Sequence, residues 1–373
     1  MVVALHPPLD VIATWQPNYV NPVTGGSDVI IVTAILMAIT YVVVGFRLYA
    51  RMVLAKNAGI DDALIIFNLI PMTGVGVGVI LAMLKYGFNR HVWDSPTSVL
   101  IQARKITIAI EAMYVISTTT TKISILLFYR RLVAGTISTA FLYATYITMA
   151  SVLLSSLFFF FTLFAICRPM STYWMQADWF WYAAHEKEFQ CMAEDKLLVA
   201  SAVISALQDF VTCGLPTVLF WKLRVPMRQK IALAGIFAVG FFLCICSILR
   251  IVYIYHAYYS SYDMTWTSRP AWLWLTIECI VAVICASAPA LKIFFKHALD
   301  ASTRGYGRQP DSFVLGKIYD STDTGASSSS APAIEEGKGG KNGVILREVT
   351  INSPRSDDGE SGRAKTVSAE CWH

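Results

Sequence analysis

Five ionisable residues lie inside long apolar stretches of this sequence, and their types could support chemistry: Glu111, Lys122, Asp209, Arg250 and Glu278. An unpaired charge inside a lipid bilayer costs several kcal/mol, so each group is expected to have either a partner or a function. A carboxyl group in a dry pocket can supply or remove a proton. Asp209 and Glu278 are therefore the candidate catalytic residues if the chain is an enzyme.

The depth of these residues follows from counting along each apolar stretch. Glu111, Arg250 and Glu278 fall in the outer third, Asp209 near the midplane and Lys122 in the inner third. One arrangement pairs Arg250 with Glu278 on adjacent helices and leaves Glu111 and Asp209 facing a polar cavity or sharing hydrogen bonds. Two interpretations stay open: the groups clamp helices together without a ligand, or they form the charged floor of an outward-open pocket.

A second polar contact is predicted near the cytoplasmic edge. Asp61 and Asp62 open the second apolar stretch, and Lys122 lies in the inner third of the third one. We expect Lys122 to pair with Asp61 or Asp62, with Asp62 as the candidate partner in the site.

Metal and acyl-transfer chemistry have no support in the sequence. The histidines are scattered, without the clustered spacing of a zinc or di-iron centre: His6, His91, His185, His256, His297 and His373. The Gly-x-Ser-x-Gly motif of acyl-transfer enzymes is absent. We therefore expect no metal site.

Composition indicates the class of protein that positions these residues. The 373-residue chain is 55% hydrophobic and 15% charged, with a mean hydropathy of +0.54, which favours a membrane protein over a soluble domain. The net charge is +5, and Lys and Arg residues cluster at the ends of apolar runs. Their expected partner is the lipid surface, and no nucleic-acid partner is expected.

Seven stretches are long and apolar enough to cross a bilayer as helices. They are predicted at Val29 to Tyr49, Asp62 to Leu84, Ile106 to Phe128, Ala140 to Ile166, Leu197 to Trp221, Ile231 to Tyr255 and Ala271 to Phe295. The predicted fold is an all-α seven-transmembrane helix bundle. Its domains are an extracellular amino-terminal segment over 1–28, the membrane domain over 29–299 and a Ser- and Gly-rich disordered cytoplasmic tail over 300–373.

Basic residues set the predicted orientation, because Lys and Arg in short loops resist translocation. One side carries Arg47, Arg51, Lys56, Arg130, Arg131, Lys222, Arg224, Arg228, Lys230, Lys292 and Lys296. The other side also has basic residues, partly diluted by acidic ones. The amino terminus is therefore predicted outside and the carboxyl terminus in the cytoplasm, with the plasma membrane as the expected location and an endomembrane as the alternative.

The aromatic loop between the fourth and fifth stretches contains Cys167 and Cys191, the two cysteines of the chain that look able to form a bridge. If the loop faces an oxidising space, these thiols can pair and restrain it over the bundle. The alternative is two unpaired thiols.

The ordered set of fragments resembles the fungal rhodopsin-like seven-helix membrane proteins. The match extends from about Val29 to Phe295 and comprises Gly59-Ile-Asp-Asp, Lys122-Ile-Ser-Ile-Leu-Leu-Phe-Tyr-Arg-Arg-Leu, Cys167-Arg-Pro, Trp174, Cys191, Asp209, Leu215-Pro216, Trp221-Lys222-Leu223, Gly240, Ser247-Ile-Leu-Arg250, Asp263-Met-Thr265, Trp274, Ile277-Glu278 and Cys285-Ala-Ser-Ala-Pro289. The family includes proteins that look like G-protein-coupled receptors and others encoded beside secondary-metabolite genes. Helix seven has no midspan Lys for a retinal Schiff base, since Lys292 lies at its inner edge, so no retinal or other cofactor is expected.

Two functions compete on this basis. The resemblance implies a receptor-like protein that senses a small extracellular molecule and contacts a heterotrimeric G protein through the loop Lys222 to Lys230 and the tail. The alternative is an intramembrane enzyme or accessory protein of a secondary-metabolite pathway, with Asp209 or Glu278 as proton donor or acceptor. A transporter is a third option, but the sequence shows no internal repeat of the kind common in secondary transporters.

Overall fold

The structure is a computed structural model that describes residues 7–133, 139–185, 187–221 and 227–306. The chain divides into two units, residues 1–309 and residues 310–373. Residues 307–373, which make up most of the predicted disordered tail, lie outside the described residues, as do residues 222–226 of the predicted cytoplasmic basic loop.

Helices account for most of the described chain. In chain order the elements are α1 Leu9–Ala13, α2 Asp28–Tyr49 with a π-helical extension Ala50–Leu54, α3 Ile60–Lys85, a 3-10 turn Val92–Asp94, α4 Thr97–Val133, α5 Thr139–Phe164, β1 Cys167–Arg168, α6 Thr172–Met175, α7 Trp179–His185, β2 Gln190–Cys191, α8 Glu194–Trp221, α9 Met227–Tyr259, α10 Met264–Thr267 and α11 Arg269–Tyr306. Each predicted span corresponds to one long helix. Most of these helices extend beyond the predicted ends, while α5 ends at Phe164, just before the predicted end at Ile166.

Six of these helices are long and apolar enough to cross a membrane within the described residues, namely α2, α3, α5, α8, α9 and α11. The seventh predicted span lies in α4, which has 37 residues but is less apolar. Its Glu111, Lys122 and the hydroxyl run Ser117 to Thr121 lower its hydropathy. The predicted helical membrane fold is thus confirmed, while the count of seven crossings is not.

Apolar side chains cover the outside of the bundle as well as its interior. On α5, Ile147, Leu154, Phe158 and Phe161 are each more than 60% exposed. Such an apolar outer face is expected of helices solvated by lipid.

The core lies where α2, α3, α4 and α11 pack together. It contains Ile65, Met72, Val75 and Val79 of α3, Ile110 of α4, and Leu275, Ile280 and Val283 of α11. Close approach of α3 to α4 depends on a small residue, since a Cβ atom at Gly78 would lie 2.7 Å from Ile110 Cγ1. Small residues at helix interfaces allow this kind of close backbone approach in membrane proteins.

One end of the bundle, which we call the hairpin end, is closed by connecting segments. Strands β1 and β2 pair antiparallel with Cys167 opposite Cys191, and these cysteines form the predicted disulfide. The segment before α2 also packs here: Thr24 bridges to Arg90, and the Trp15 ring lies 5.1 Å from the Trp179 ring. The amino-terminal segment and the loop after α5 therefore contact each other.

Substituting Gly78 by Val is expected to separate α3 from α4, because Ile110 is buried and has little room to move. We expect the free energy of unfolding to fall by about 1–3 kcal/mol, measured as a lower midpoint of thermal unfolding in detergent micelles. Gly45→Val is the control, since no atom lies within 4 Å of a Cβ atom there. Equal effects of the two variants would contradict close α3–α4 packing at Gly78.

Candidate functional site

A cavity of about 120 Å³ lies at the hairpin end of the bundle. Its walls are mainly apolar and aromatic, and they come from α4, α8, α9, α11 and the connecting segments. The lining residues that matter below are Phe88, Arg104, Thr107, Glu111, Gln176, Trp179, Ile254, Ala257, Tyr258, Tyr262, Trp272 and Leu275. A largely apolar cavity with a few convergent polar groups is the usual form of a small-molecule site.

The disulfide positions part of the cavity wall. Gln176 lines the cavity, and its Nε2 lies 3.3 Å from Sγ of Cys167 and 3.1 Å from Sγ of Cys191. Trp179, three residues further on, also lines the cavity and contacts Trp15 of the amino-terminal segment. The bridge therefore restrains the loop that closes the cavity.

A charged cluster at the hairpin end joins α4, α8, α9 and the loop. Arg104 donates from Nη1 and Nη2 to the two carboxylate oxygens of Glu194, at 3.0 and 2.6 Å. The hydroxyls of Tyr173 and Tyr258 each donate to Glu194 Oε1 at 3.0 Å. Burial, opposed in part by the nearby Arg104 cation, raises the pKa of the Tyr173 hydroxyl well above its ordinary value, so it remains a hydrogen-bond donor.

Sequence reasoning missed this cluster. Arg104 and Glu194 lie just outside the predicted spans, where a charged residue looks like an ordinary solvated end. Arg104 and Glu194 carry opposite charges at the predicted outer ends of two helices, which makes an ion pair between them possible. The sequence does not show that these two helices are neighbours, so the pair could not be assigned.

Below the cavity, Arg250 and Glu278 form an ion pair, as one of the arrangements from the sequence predicts. Arg250 Nε lies 2.8 Å from Glu278 Oε2, and both side chains are only 2% exposed. The Tyr114 hydroxyl donates to Glu278 Oε1 at 2.5 Å, and the Arg250 guanidinium lies 4.8 Å from the Tyr114 ring centroid. These three residues connect α4, α9 and α11.

The predicted pair between Lys122 and Asp62 is wrong. Lys122 Nζ lies 3.0 Å from Asp209 Oδ1 on α8, and it also donates to the backbone oxygen and hydroxyl of Ser205. Ser247 donates to the other oxygen of Asp209 at 2.7 Å. Asp209 thus shares hydrogen bonds within the bundle, one of the two options that the sequence left open.

Asp62 is paired instead with a residue that sequence reasoning treated only as a marker of orientation. Arg47 is 1% exposed, and its guanidinium donates to Asp62 at 2.9 Å and to Asp61 at 3.1 Å. Arg131 at the end of α4 lies 3.4 Å from Asp61. These charges join α2, α3 and α4 at the end of the bundle opposite the hairpin.

Glu111 differs from the other predicted site residues because it lines the cavity itself. It also borders a smaller cleft that contains Lys122, Ser155, Ser205 and Gln208. Within the part of the chain that the structure describes, Glu111 has no hydrogen bond or ion pair. Asp209, Arg250 and Glu278 do not line the cavity.

A further contact at the mouth of the cavity was not predicted. His91 Nδ1 lies 2.5 Å from Asp263 Oδ2, and the imidazole is stacked between the rings of Trp93 and Trp266. Since Val92 and Met264 line the cavity, this contact joins two of the segments that surround it.

The sequence model of the fungal rhodopsin domain matches residues 46–297, two thirds of the chain. The chain belongs to the fungal rhodopsin domain family. The matched region of this fungal rhodopsin domain contains every lining residue of the cavity and the ion pairs around it. The segment before α2 lies outside the match.

Two curated relatives are similar to part of this fungal rhodopsin domain protein. One is a SAT4 family membrane protein of Emericella nidulans, 27% identical over 217 residues, which cover 57% of this chain and 51% of the relative. The other is the satratoxin biosynthesis SC1 cluster protein 4 of Stachybotrys chartarum, 25% identical over 208 residues, covering 53% of this chain and 68% of the relative. The match thus spans about half the length of the Emericella relative, and no solved structure matches the chain.

Neutralising one carboxylate at a time should separate paired from unpaired groups. Asp209→Asn leaves the Lys122 cation without its anion, and we expect it to lower the free energy of unfolding by about 3–5 kcal/mol. Glu111→Gln removes an unpaired carboxyl group and breaks no described contact, so we expect no loss of stability. Thermal unfolding in detergent micelles measures both, and a larger loss in Glu111→Gln than in Asp209→Asn would contradict the assignment.

Proposed function

We propose that this member of the fungal rhodopsin domain family is a receptor-like protein that binds a small, largely apolar molecule in its hairpin-end cavity. The observation that carries the proposal is the cavity itself, with apolar walls, a few polar groups and a disulfide-restrained loop across it. A ligand that binds two helix arrangements with different affinities shifts the population between them. Ligand binding would then change the helix packing at the end of the bundle opposite the hairpin end.

The proposal includes seven crossings, with α4 as the seventh. Arg104 near the start of α4 contacts Glu194 at the hairpin end, and Arg131 near its end contacts Asp61 and Asn57 at the opposite end. A 37-residue helix is about 55 Å long at about 1.5 Å per residue, more than the roughly 30 Å of hydrocarbon. Both arguments support a helix that spans the membrane.

The hairpin end is proposed to face the outside, with the amino terminus on the same side. Disulfides form in oxidising compartments, and the Cys167–Cys191 bridge lies at this end. Arg47, Arg51 and Arg131 lie at the other end, in agreement with the cytoplasmic bias of basic residues. The plasma membrane is the location that suits a sensor of external compounds.

Signalling to a heterotrimeric G protein is part of the proposal. The expected contact surface is the basic loop from Lys222 to Lys230 with the carboxyl-terminal tail, which lies largely outside the described residues. Coupling from the cavity would pass through the ion pair of Arg250 and Glu278. Ile254 and Ala257 of α9 line the cavity one to two turns above Arg250, while Leu275 of α11 lies one turn from Glu278.

An enzymatic role through Asp209 or Glu278 has less support. Each carboxylate is paired with a cation, and neither lines the cavity in which a substrate would lie. The name of the Stachybotrys relative places that protein in a gene cluster for satratoxin biosynthesis. A role in a secondary-metabolite pathway is therefore kept as the second candidate, and the experiment below separates it from the receptor.

Filling the cavity should abolish the response without disturbing the fold. Ala257→Phe places a ring in the cavity, whereas Ala238→Phe adds the same ring to the lipid-facing side of the same helix. In a fungal host we expect the Ala257→Phe strain to lose the cyclic-nucleotide response to external small molecules, as a deletion strain does. The Ala238→Phe strain should retain it at matched protein level.

The same strains test the second candidate through their extracted metabolites. Accumulation of a precursor in the deletion and Ala257→Phe strains, with an unchanged external response, would replace the receptor by a biosynthetic role. A response and metabolites that are unchanged in Ala257→Phe would contradict a functional cavity. Size-exclusion profiles of the two purified variants control for misfolding.

A further inference from the structure

Three ion pairs lie around Glu111, and each cation in them has one carboxylate partner. Arg104 pairs with Glu194 at 2.6 Å, Lys122 with Asp209 at 3.0 Å and Arg250 with Glu278 at 2.8 Å. Glu111 lies among these three pairs, and no described residue neutralises it through an ion pair or hydrogen bond. Glu111 is therefore a carboxyl group that these three pairs leave without a cation partner.

Glu111 is positioned to meet a ligand. It lines the cavity, and the walls around it include the aromatic side chains of Phe88, Tyr258, Tyr262 and Trp272. The faces of aromatic rings attract cations through their negative electrostatic potential. A carboxylate in an apolar surrounding is stabilised when a positive charge compensates it.

We propose that the ligand is a monovalent organic cation, an aromatic or aliphatic body with one protonated amine whose ammonium group binds the Glu111 carboxylate. This inference rests on the proposed binding function of the cavity and names the class of molecule that it takes. The single positive charge of the ligand would neutralise the single unpaired carboxylate of Glu111. The apolar body of the ligand would contact the apolar and aromatic side chains of the cavity wall.

Anionic ligands and metal ions are less compatible with the charges around the cavity. An anionic ligand would approach Glu111 while Arg104 and Arg250 are already neutralised by Glu194 and Glu278. A transition-metal ion needs several strong ligands, and the described residues contain no group of three His, Cys, Asp or Glu side chains that could hold one.

Three compounds of similar shape and different charge test the inference: tryptamine as the cation, 3-propylindole as the neutral form and indole-3-propionate as the anion. The full chain is reconstituted in nanodiscs of phosphatidylcholine, which has no net charge to concentrate the amine. Isothermal titration calorimetry at pH 7 measures the affinities. We expect tryptamine to bind at least about tenfold more tightly than 3-propylindole, a difference of about 1.4 kcal/mol, with the weakest binding for the anion.

Variants at position 111 assign the preference to one carboxylate. Glu111→Gln should lose the tenfold preference while it still binds 3-propylindole, which shows that the cavity is intact. Glu111→Asp keeps the charge and should keep a preference for tryptamine. Glu188→Gln removes one negative charge from the exposed surface of the loop and should bind like the wild type.

The outcomes separate this inference from the proposed function. Similar affinities for tryptamine and 3-propylindole, unchanged in Glu111→Gln, would overturn the cationic ligand and leave the cavity as a site for apolar molecules. A preference for tryptamine that survives in Glu111→Gln would overturn the role of Glu111. Absence of binding by all three compounds would contradict the binding function of the cavity and the inference with it.

Discussion

The fold depends on the compensation of buried charge, and the pair of Arg250 with Glu278 is the strictest case. Both side chains are 2% exposed, and in a bilayer no water can replace a lost partner. Removing one member would leave an uncompensated charge, so α9 and α11 must meet at this depth and in this register. The Tyr114 hydroxyl adds α4 to the same contact. Three helices are thereby held together below the cavity.

The other pairs extend this constraint along the bundle. Lys122 and Asp209 join α4 to α8, and Arg47 with Asp62 joins α2 to α3 at the opposite end. Every long helix of the described chain except α5 contributes to such a pair. Glu111 is then informative because it does not follow the pattern, and it lies where a ligand from the hairpin end would arrive.

The positions of the helices in the sequence were predictable, whereas the contacts between helices were predictable only in part. Apolar length gives a transmembrane helix and counting gives depth, which is why Arg250 and Glu278 could be paired from sequence. Depth does not give the direction of a side chain around its helix, so Lys122 was assigned to Asp62 although it points to α8. Arg47 looked like a loop residue because it lies near the end of its apolar run.

The cavity depends on side-chain directions in four helices and on the loop held by Cys167. The sequence pattern contains none of this information, so the cavity could not be predicted.

A double-mutant cycle on Arg250 and Glu278 tests the central claim most directly. The variants Arg250→Met, Glu278→Leu and their combination are made in a Tyr114→Phe background, so that no hydroxyl loses its acceptor, and thermal unfolding is measured in detergent micelles. We predict that each single substitution lowers the free energy of unfolding by about 3–5 kcal/mol and that the combination regains most of the loss. A double variant that loses the sum of the two single effects would contradict the claim that charge compensation holds these helices together.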